Sequence, residues 1–236
     1  MCSSDLTLDS ALLEKNELQQ LFAIDLLWNL PLNPWKDSLE FLFTKGSPPI
    51  QRAILELTWN KPDIISDQLI IYKIKKEDDV SPHALMCAND RGLKNDITKL
   101  DNYLNHDNNS LRIAYAVTLL SNDKESKISE ELINRIHNSN IVENQIELIG
   151  FLKRHPHLLS SIYITNYLQN GNIEIKNEML RFLINNPNIS YFNHIFNLME
   201  KPATEILATK SLLALNKKET YSRLSDIFSD SGTKIK

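Results

Sequence analysis

The side chains that could take part in catalysis or metal binding are scattered along the 236-residue sequence. Of its six histidines, only His155 and His157 lie close together, and no cysteine or carboxylate stands near them at ligand spacing. The sequence contains no H-E-x-x-H, C-x-x-C, G-x-S-x-G or glycine-rich phosphate-binding motif. It therefore predicts no catalytic residue, no metal site and no cofactor, and a protein that is not an enzyme.

Acidic clusters are the remaining candidates for acid–base chemistry. The clearest are Glu77-Asp78-Asp79 and Glu130-Glu131. Both lie near the predicted starts of helices, where the helix dipole stabilises negative charge. We therefore interpret them as structural.

Composition narrows the class of protein. The net charge of −4, from 26 basic and 30 acidic residues, argues against a nucleic-acid partner, whose binding surface needs a clear basic excess. Cys2 and Cys87 are too few for a disulfide framework, which favours a reducing compartment. No stretch approaches the roughly 18 apolar residues of a membrane span, and no secretory signal is evident. We expect a cytoplasmic protein with no direct membrane insertion.

The most informative pattern is an internal repeat. Seven segments each contain two apolar residues three positions apart, and the first members of these pairs recur every 29 to 33 residues. A spacing of three places both residues on one face of a helix. The pairs are Ile24/Leu27, Ile54/Leu57, Leu85/Ala88, Val117/Leu120, Ile146/Ile149, Met179/Phe182 and Leu212/Leu215.

A second set of amphipathic segments alternates with the first, at 7–13, 35–45, 63–74, 96–104, 128–136, 160–168, 191–199 and 221–228. The predicted unit is a first helix, a short turn and a second helix, in about 31 residues. Because so short a hairpin cannot bury its own apolar stripe, neighbouring pairs must stack on one another. The prediction is an all-α fold, an α-solenoid of about seven helix pairs.

One segment carries the resemblance to a known family. "HDNNSLRIAYAVTLL" (106–120) resembles the short HEAT repeat, matching its order of turn, apolar and small residues at Asp107, Leu111, Arg112, Ala114, Ala116 and Leu119. The resemblance implies bonds between such Arg and Asp side chains across neighbouring turns. It also implies a concave surface, lined by the second helices, that binds a protein partner.

The candidate partner-binding residues are Asp25, Trp28, Arg52, Glu56, Trp59, Arg112, Glu147 and Arg181. The two tryptophans also fit packing between successive pairs, and Arg112 also fits a structural role. The oligomeric state is left open.

Weaker similarities concern the beginning of the chain. Residues 16–31 and 49–57 are similar to HEAT segments attached to bacterial nucleotide-exchange and major-facilitator transporters. "MCSSDL" (1–6) resembles the translated end of a sequencing adapter. We expect residues 1–6 to be an artefact or disordered, 7–229 to form the repeat domain, and 230–236 to be a disordered tail.

Three functions follow from these patterns. The first is a non-enzymatic scaffold that binds a protein partner, or an upstream part of its own chain, through the concave face. The second is a soluble cytoplasmic regulatory segment of a truncated transporter. The third, a HEAT-like DNA glycosylase or other nucleic-acid-binding protein, would need a basic groove, whereas the seven arginines are spread along the chain.

Overall fold

The computed structural model describes residues 3–93, 103–122 and 127–232. These residues form 14 α-helices and no strand, which confirms the predicted all-α class. The helices are α1 Ser3–Leu12, α2 Glu17–Leu26, α3 Lys36–Lys45, α4 Pro48–Leu57, α5 Asp67–Ile74, α6 Ser81–Asp90, α7 Asn109–Ser121, α8 Lys127–His137, α9 Val142–Leu152, α10 Ser161–Asn170, α11 Ile173–Asn185, α12 Phe192–Met199, α13 Glu205–Ala214 and α14 Lys217–Gly232.

The helices lie at the positions that the alternating segments predict, although their first and last residues differ from the predicted bounds by a few positions. Asn side chains set several starts: Asn16 Oδ1 accepts hydrogen bonds from the backbone of Leu18 and Gln19, and Asn108 Oδ1 accepts one from Leu111. These caps satisfy backbone donors that the first helical turn leaves free. The predicted segment 96–104 lies almost wholly outside the described residues, whose next element is a short 3₁₀ helix at Tyr103–Asn105.

The ends of the predicted domain remain predictions. Helix α1 begins at Ser3, inside the segment 1–6, and α14 continues to Gly232, past residue 229. Residues 1–2 and 233–236 lie outside the described residues.

Contacts divide the chain into two compact units, Met1–Asn122 (unit 1) and Asp123–Lys236 (unit 2). In unit 1, α1 packs on α2, α3 on α4 and α5 on α6. The second helices of these pairs also contact one another in the order α2, α4, α6, α7. Small buried residues lie where α6 meets α7, and they permit close approach of the helices: Ala84, Ala88, Ala114 and Ala116.

Unit 2 follows the same pattern. Its pairs are α8 with α9, α10 with α11, and α12 with α13, and its second helices contact one another in the order α9, α11, α13. Large apolar residues fill its core, including Leu148, Met179, Leu180 and Phe192, all essentially inaccessible to solvent. The final helix, α14, follows the last of these pairs.

Hydrogen bonds between successive pairs repeat the spacing of the sequence. Side chains in both units bond to residues 29 to 33 positions away along the chain. The interval that orders the apolar residues therefore also orders polar contacts. The pairs are Asp9–Ser38, Glu17–Ser47, Trp59–Asp90 and Asn89–Ser121 in unit 1, and Asn134–Tyr163, His137–Tyr167, Lys153–Asn186 and Leu180–Ser211 in unit 2.

Two turns between first and second helices share one tight geometry. A Cβ added to Gly46 would lie 2.5 Å from the Leu42 carbonyl oxygen and 2.9 Å from Ile50 Cγ2. A Cβ added to Gly171 meets Tyr167 and Ile175 at the same two distances. Both glycines have extended ψ and negative φ, so the close approach of the chain, and not a left-handed conformation, requires glycine there.

Candidate functional site

An exposed apolar stripe runs along α2 in unit 1. Leu18, Phe22 and Leu26 are spaced four residues apart, and 75%, 64% and 49% of their surfaces are exposed. Residues at this spacing lie along one side of a helix. The interior side of α2 carries Ala23 and Ile24, which are buried. Grouped exposed apolar side chains of this kind commonly mark an interaction site.

Polar residues replace this stripe on the neighbouring second helix. Ile24 and Ile54 are both buried and stand at equivalent positions of α2 and α4, so Phe22 corresponds to Arg52 and Leu26 to Glu56. Arg52 and Glu56 are half-buried. The surface of the second helices thus changes from apolar on α2 to charged on α4.

His83, on α6, lies next to the charged part of this surface. Burial, and then the nearby Arg52 guanidinium, lower the pKa of His83 to about 4, while the Glu56 carboxylate acts in the opposite direction. His83 is therefore neutral at pH 7, and the charges it meets belong to Arg52 and Glu56. We define the second-helix surface as Leu18, Phe22 and Leu26 of α2, Arg52 and Glu56 of α4, and His83 of α6.

The other predicted residues of the first two repeats divide into exposed and buried. Asp25 is exposed on α2, and Trp28, in the 3₁₀ turn that follows, exposes 49% of its surface. Trp59 exposes 7%, and its indole Nε1 donates to Asp90 Oδ2 at 2.7 Å. Because its ring is buried and its one donor is used, we remove Trp59 from the candidate set and assign it to packing.

The remaining predicted residues do not extend the second-helix surface. Arg112 is half-buried on α7, where it donates to Asn109 of its own helix. In unit 2, Glu147 is half-buried on α9, and the exposed Arg181 on α11 pairs with Glu178 at 2.9 Å. The structure therefore brings together only part of the predicted set, within unit 1.

Arg91 bonds across neighbouring turns, and the sequence did not point to it. Its guanidinium donates to the carbonyl oxygens of Thr58, Trp59 and Ile65 at 2.7–2.8 Å and pairs with Asp67 at 2.9 Å. These bonds tie the end of α4 and the start of α5 to the end of α6. Three of the four partners are backbone atoms, so no side-chain pattern could have indicated this role.

The residues considered for chemistry lie apart. The rings of His155 and His157 are 6.2 Å apart, and in the part of the chain that the structure describes no three His, Cys, Asp or Glu side chains converge as a metal site would require. Glu77 instead accepts a hydrogen bond from the Tyr103 hydroxyl at 3.2 Å and lies 3.2 Å from His106 Nε2. The second-helix surface presents exposed apolar side chains on α2 next to charged side chains on α4.

Comparisons of the chain with protein-family models, with curated proteins and with solved structures find no match. Among the described helices, none combines the length and the apolar character that crossing a membrane requires.

Proposed function

We propose that the protein is a non-enzymatic scaffold that binds a protein partner through the second-helix surface. The proposed architecture is an α-solenoid of about seven HEAT-like pairs, and within each unit the second helices contact one another in chain order. Support comes from the recurring helix pairs of both units and from hydrogen bonds that repeat at the same interval. The low cysteine content favours the cytoplasm as its location.

The observation that carries the proposal is the exposed stripe of Leu18, Phe22 and Leu26. Three large apolar side chains along one helix supply the area that an amphipathic partner helix buries. Arg52 and Glu56 on the next helix offer both signs of charge and so favour a partner of matching polarity. Charged rims of this kind determine specificity and association rate more than affinity.

The test places a photo-crosslinking amino acid at position 22 of the full chain. We expect a discrete protein adduct in the cells that express this protein, and loss of the adduct when Leu26 is changed to Asp. Tyr72 is a matched control, because it is an exposed aromatic residue on a first helix, α5. Equal adducts from positions 22 and 72 would contradict a specific surface, and salt-sensitive crosslinking to DNA would favour a nucleic-acid function instead.

A further inference from the structure

Unit 2 contains a cavity of about 330 Å³ between α12, α13 and α14. Its volume falls within the range of small-molecule sites, roughly 300–1,000 Å³. Its lining is almost entirely apolar and includes Phe196, Met199, Leu212, Leu213, Tyr221 and Leu224.

The wall of the cavity is anchored to the core of unit 2. Phe196 stacks on Phe192, with ring centroids 5.8 Å apart, and Phe192 is fully buried. The guanidinium of Arg223, on α14, lies over the Phe192 ring, 5.8 Å from its centroid. Helix α14 is thus tied to α12 beside the cavity through a cation–π contact.

The cavity also carries two polar groups on one side of α14. Lys217 and Thr220 both line it, and their spacing of three places them on the same helical face. The Thr220 hydroxyl oxygen is buried and has no hydrogen-bond partner within the part of the chain that the structure describes. A buried hydroxyl without a partner costs free energy. Rotation of the Thr220 side chain about χ1 would turn the hydroxyl towards the cavity, where a ligand that accepts its hydrogen bond would gain affinity.

We propose that this cavity binds a small amphiphile, a linear apolar chain that ends in a carboxylate. The chain lies against Phe196, Met199 and Leu212, and the carboxylate accepts a hydrogen bond from Thr220 and pairs with the Lys217 ammonium. This inference is independent of the proposed scaffold function, because it concerns a different surface in the other unit.

The lining favours a carboxylate over other occupants. An ionised carboxylate only accepts hydrogen bonds, which matches a hydroxyl donor and an ammonium group, whereas a cationic headgroup would be repelled by Lys217. The volume also argues against a partner helix, because a helix with its side chains is about 10–12 Å across and would contact only the cavity mouth. A single flexible chain fills such a space without requiring α14 to move.

The experiment is calorimetric titration of the full chain with sodium decanoate below its micelle concentration. We expect saturable binding of one decanoate per chain, and much weaker binding of decyltrimethylammonium, which has the same chain and the opposite headgroup charge. Leu213→Asp is expected to weaken decanoate binding by about tenfold or more, because it places a negative charge at the mouth and removes an apolar contact. Leu213 is 75% exposed, so the fold should tolerate this change.

Two conservative variants test the headgroup contacts. We expect Thr220→Val to weaken decanoate binding by about tenfold and Lys217→Gln by about two- to fivefold, since a hydrogen bond to a charged group contributes more than an exposed ion pair. Lys218→Gln is the matched control, because Lys218 is also exposed but does not line the cavity. Thr220→Val should leave thermal stability unchanged or raise it, since it removes an unsatisfied hydroxyl.

Several results would overturn the proposal. They are the absence of saturable binding, equal binding of the cationic analogue, and decanoate affinity that is unchanged in Leu213→Asp. Affinity that falls in Leu213→Asp but not in Thr220→Val or Lys217→Gln would overturn the carboxylate assignment. Tighter binding of a leucine-rich amphipathic helical peptide than of decanoate would assign the cavity to a protein partner.

Discussion

At the scale of single residues, Arg91 links the end of α6 to the segment that joins α4 and α5. Its side chain is 5% exposed, and it satisfies the carbonyl groups of Thr58, Trp59 and Ile65 together with the carboxylate of Asp67. Arg91→Ala would remove these four bonds at once, although the Thr58 and Trp59 carbonyls each keep a second donor, Lys61 N and Cys87 Sγ, and Asp67 is 44% exposed. We expect the free energy of unfolding, measured by chemical denaturation, to fall by about 3 kcal/mol.

Arg181 is the control for this prediction. It is exposed, and its pairing with Glu178 is an i, i+3 contact on one helix. Arg181→Ala should change the free energy of unfolding by less than about 0.5 kcal/mol. A change in the free energy of unfolding that is as small for Arg91→Ala as for Arg181→Ala would show that the bonds of Arg91 contribute little.

His137 makes the free energy of unfolding depend on pH. It is buried, its Nδ1 lies 2.7 Å from the Tyr167 hydroxyl, and its ring stacks on Tyr163 at 3.8 Å. Burial lowers the pKa of His137 to about 4, from 6.5 in the unfolded chain. The unfolded chain therefore binds a proton at His137 more readily than the folded chain does. The stability that neutral His137 contributes to the folded state is complete above pH 6.5 and is lost as the pH falls towards 4.

The corresponding measurement is the free energy of unfolding between pH 7 and pH 4. His137→Asn keeps a polar side chain but cannot titrate, so we expect lower stability at pH 7 and a flatter decline towards pH 4. An unchanged slope would mean that His137 does not lose its proton affinity on folding. His83, with a pKa also lowered to about 4, contributes to the slope that should remain.

At the scale of helices and turns, the two tight glycine turns fix how a first helix leads into a second. Gly46→Ala and Gly171→Ala would each force a Cβ against a backbone carbonyl, which cannot be relieved by a side-chain rotation. We expect each to lower the free energy of unfolding by about 1–3 kcal/mol. The two values should be similar, because the surroundings of the two glycines match.

Gly150 provides the matched control for the turns. It lies inside α9, and the nearest atom to an added Cβ is Glu178 Oε1 at 3.9 Å. Gly150→Ala should therefore raise the free energy of unfolding by about 0.5–1 kcal/mol, because alanine favours a helix interior. Destabilisation by this change as well would argue against steric contact as the cause at Gly46 and Gly171.

At the scale of the whole molecule, the proposed solenoid predicts that perturbations stay local. Leu55, on α4, is fully buried, and Leu55→Ala should cost about 3 kcal/mol through the cavity it leaves. In a chain whose repeats contact only their neighbours, this loss should raise amide exchange in α2, α4 and α6 more than in α9, α11 and α13. The measurement is hydrogen–deuterium exchange of the backbone amides. A uniform rise in exchange rate throughout both units would instead indicate one cooperative core.

The helices were predictable because they depend on local periodicity. Apolar residues three and four apart, as at Ile54 and Leu57, place one stripe on a helix wherever the chain leads next. The approximate lengths of the helices followed from the same pattern. Their ends moved by a few residues because caps such as Asn108, and not apolar residues, decide where a helix begins.

The candidate surface was only partly predictable. Asp25, Arg52 and Glu56 were proposed from their places on second helices, and Arg52 and Glu56 belong to the second-helix surface. Phe22 and Leu26 were not singled out, because an apolar residue on an amphipathic helix is expected to be buried. Their exposure depends on which side of α2 its neighbours cover.

The amino-acid sequence by itself determined that this chain forms helices, that they alternate as first and second helices, and that they recur every 29 to 33 residues. These properties depend on spacing along the chain, which the sequence states directly. The tertiary structure alone decided that Trp59 is buried, that Phe22 is exposed, and that Arg91 bonds to three distant carbonyl groups. Burial and backbone contacts depend on which elements meet in space, and the order of side chains along a helix does not specify its neighbours.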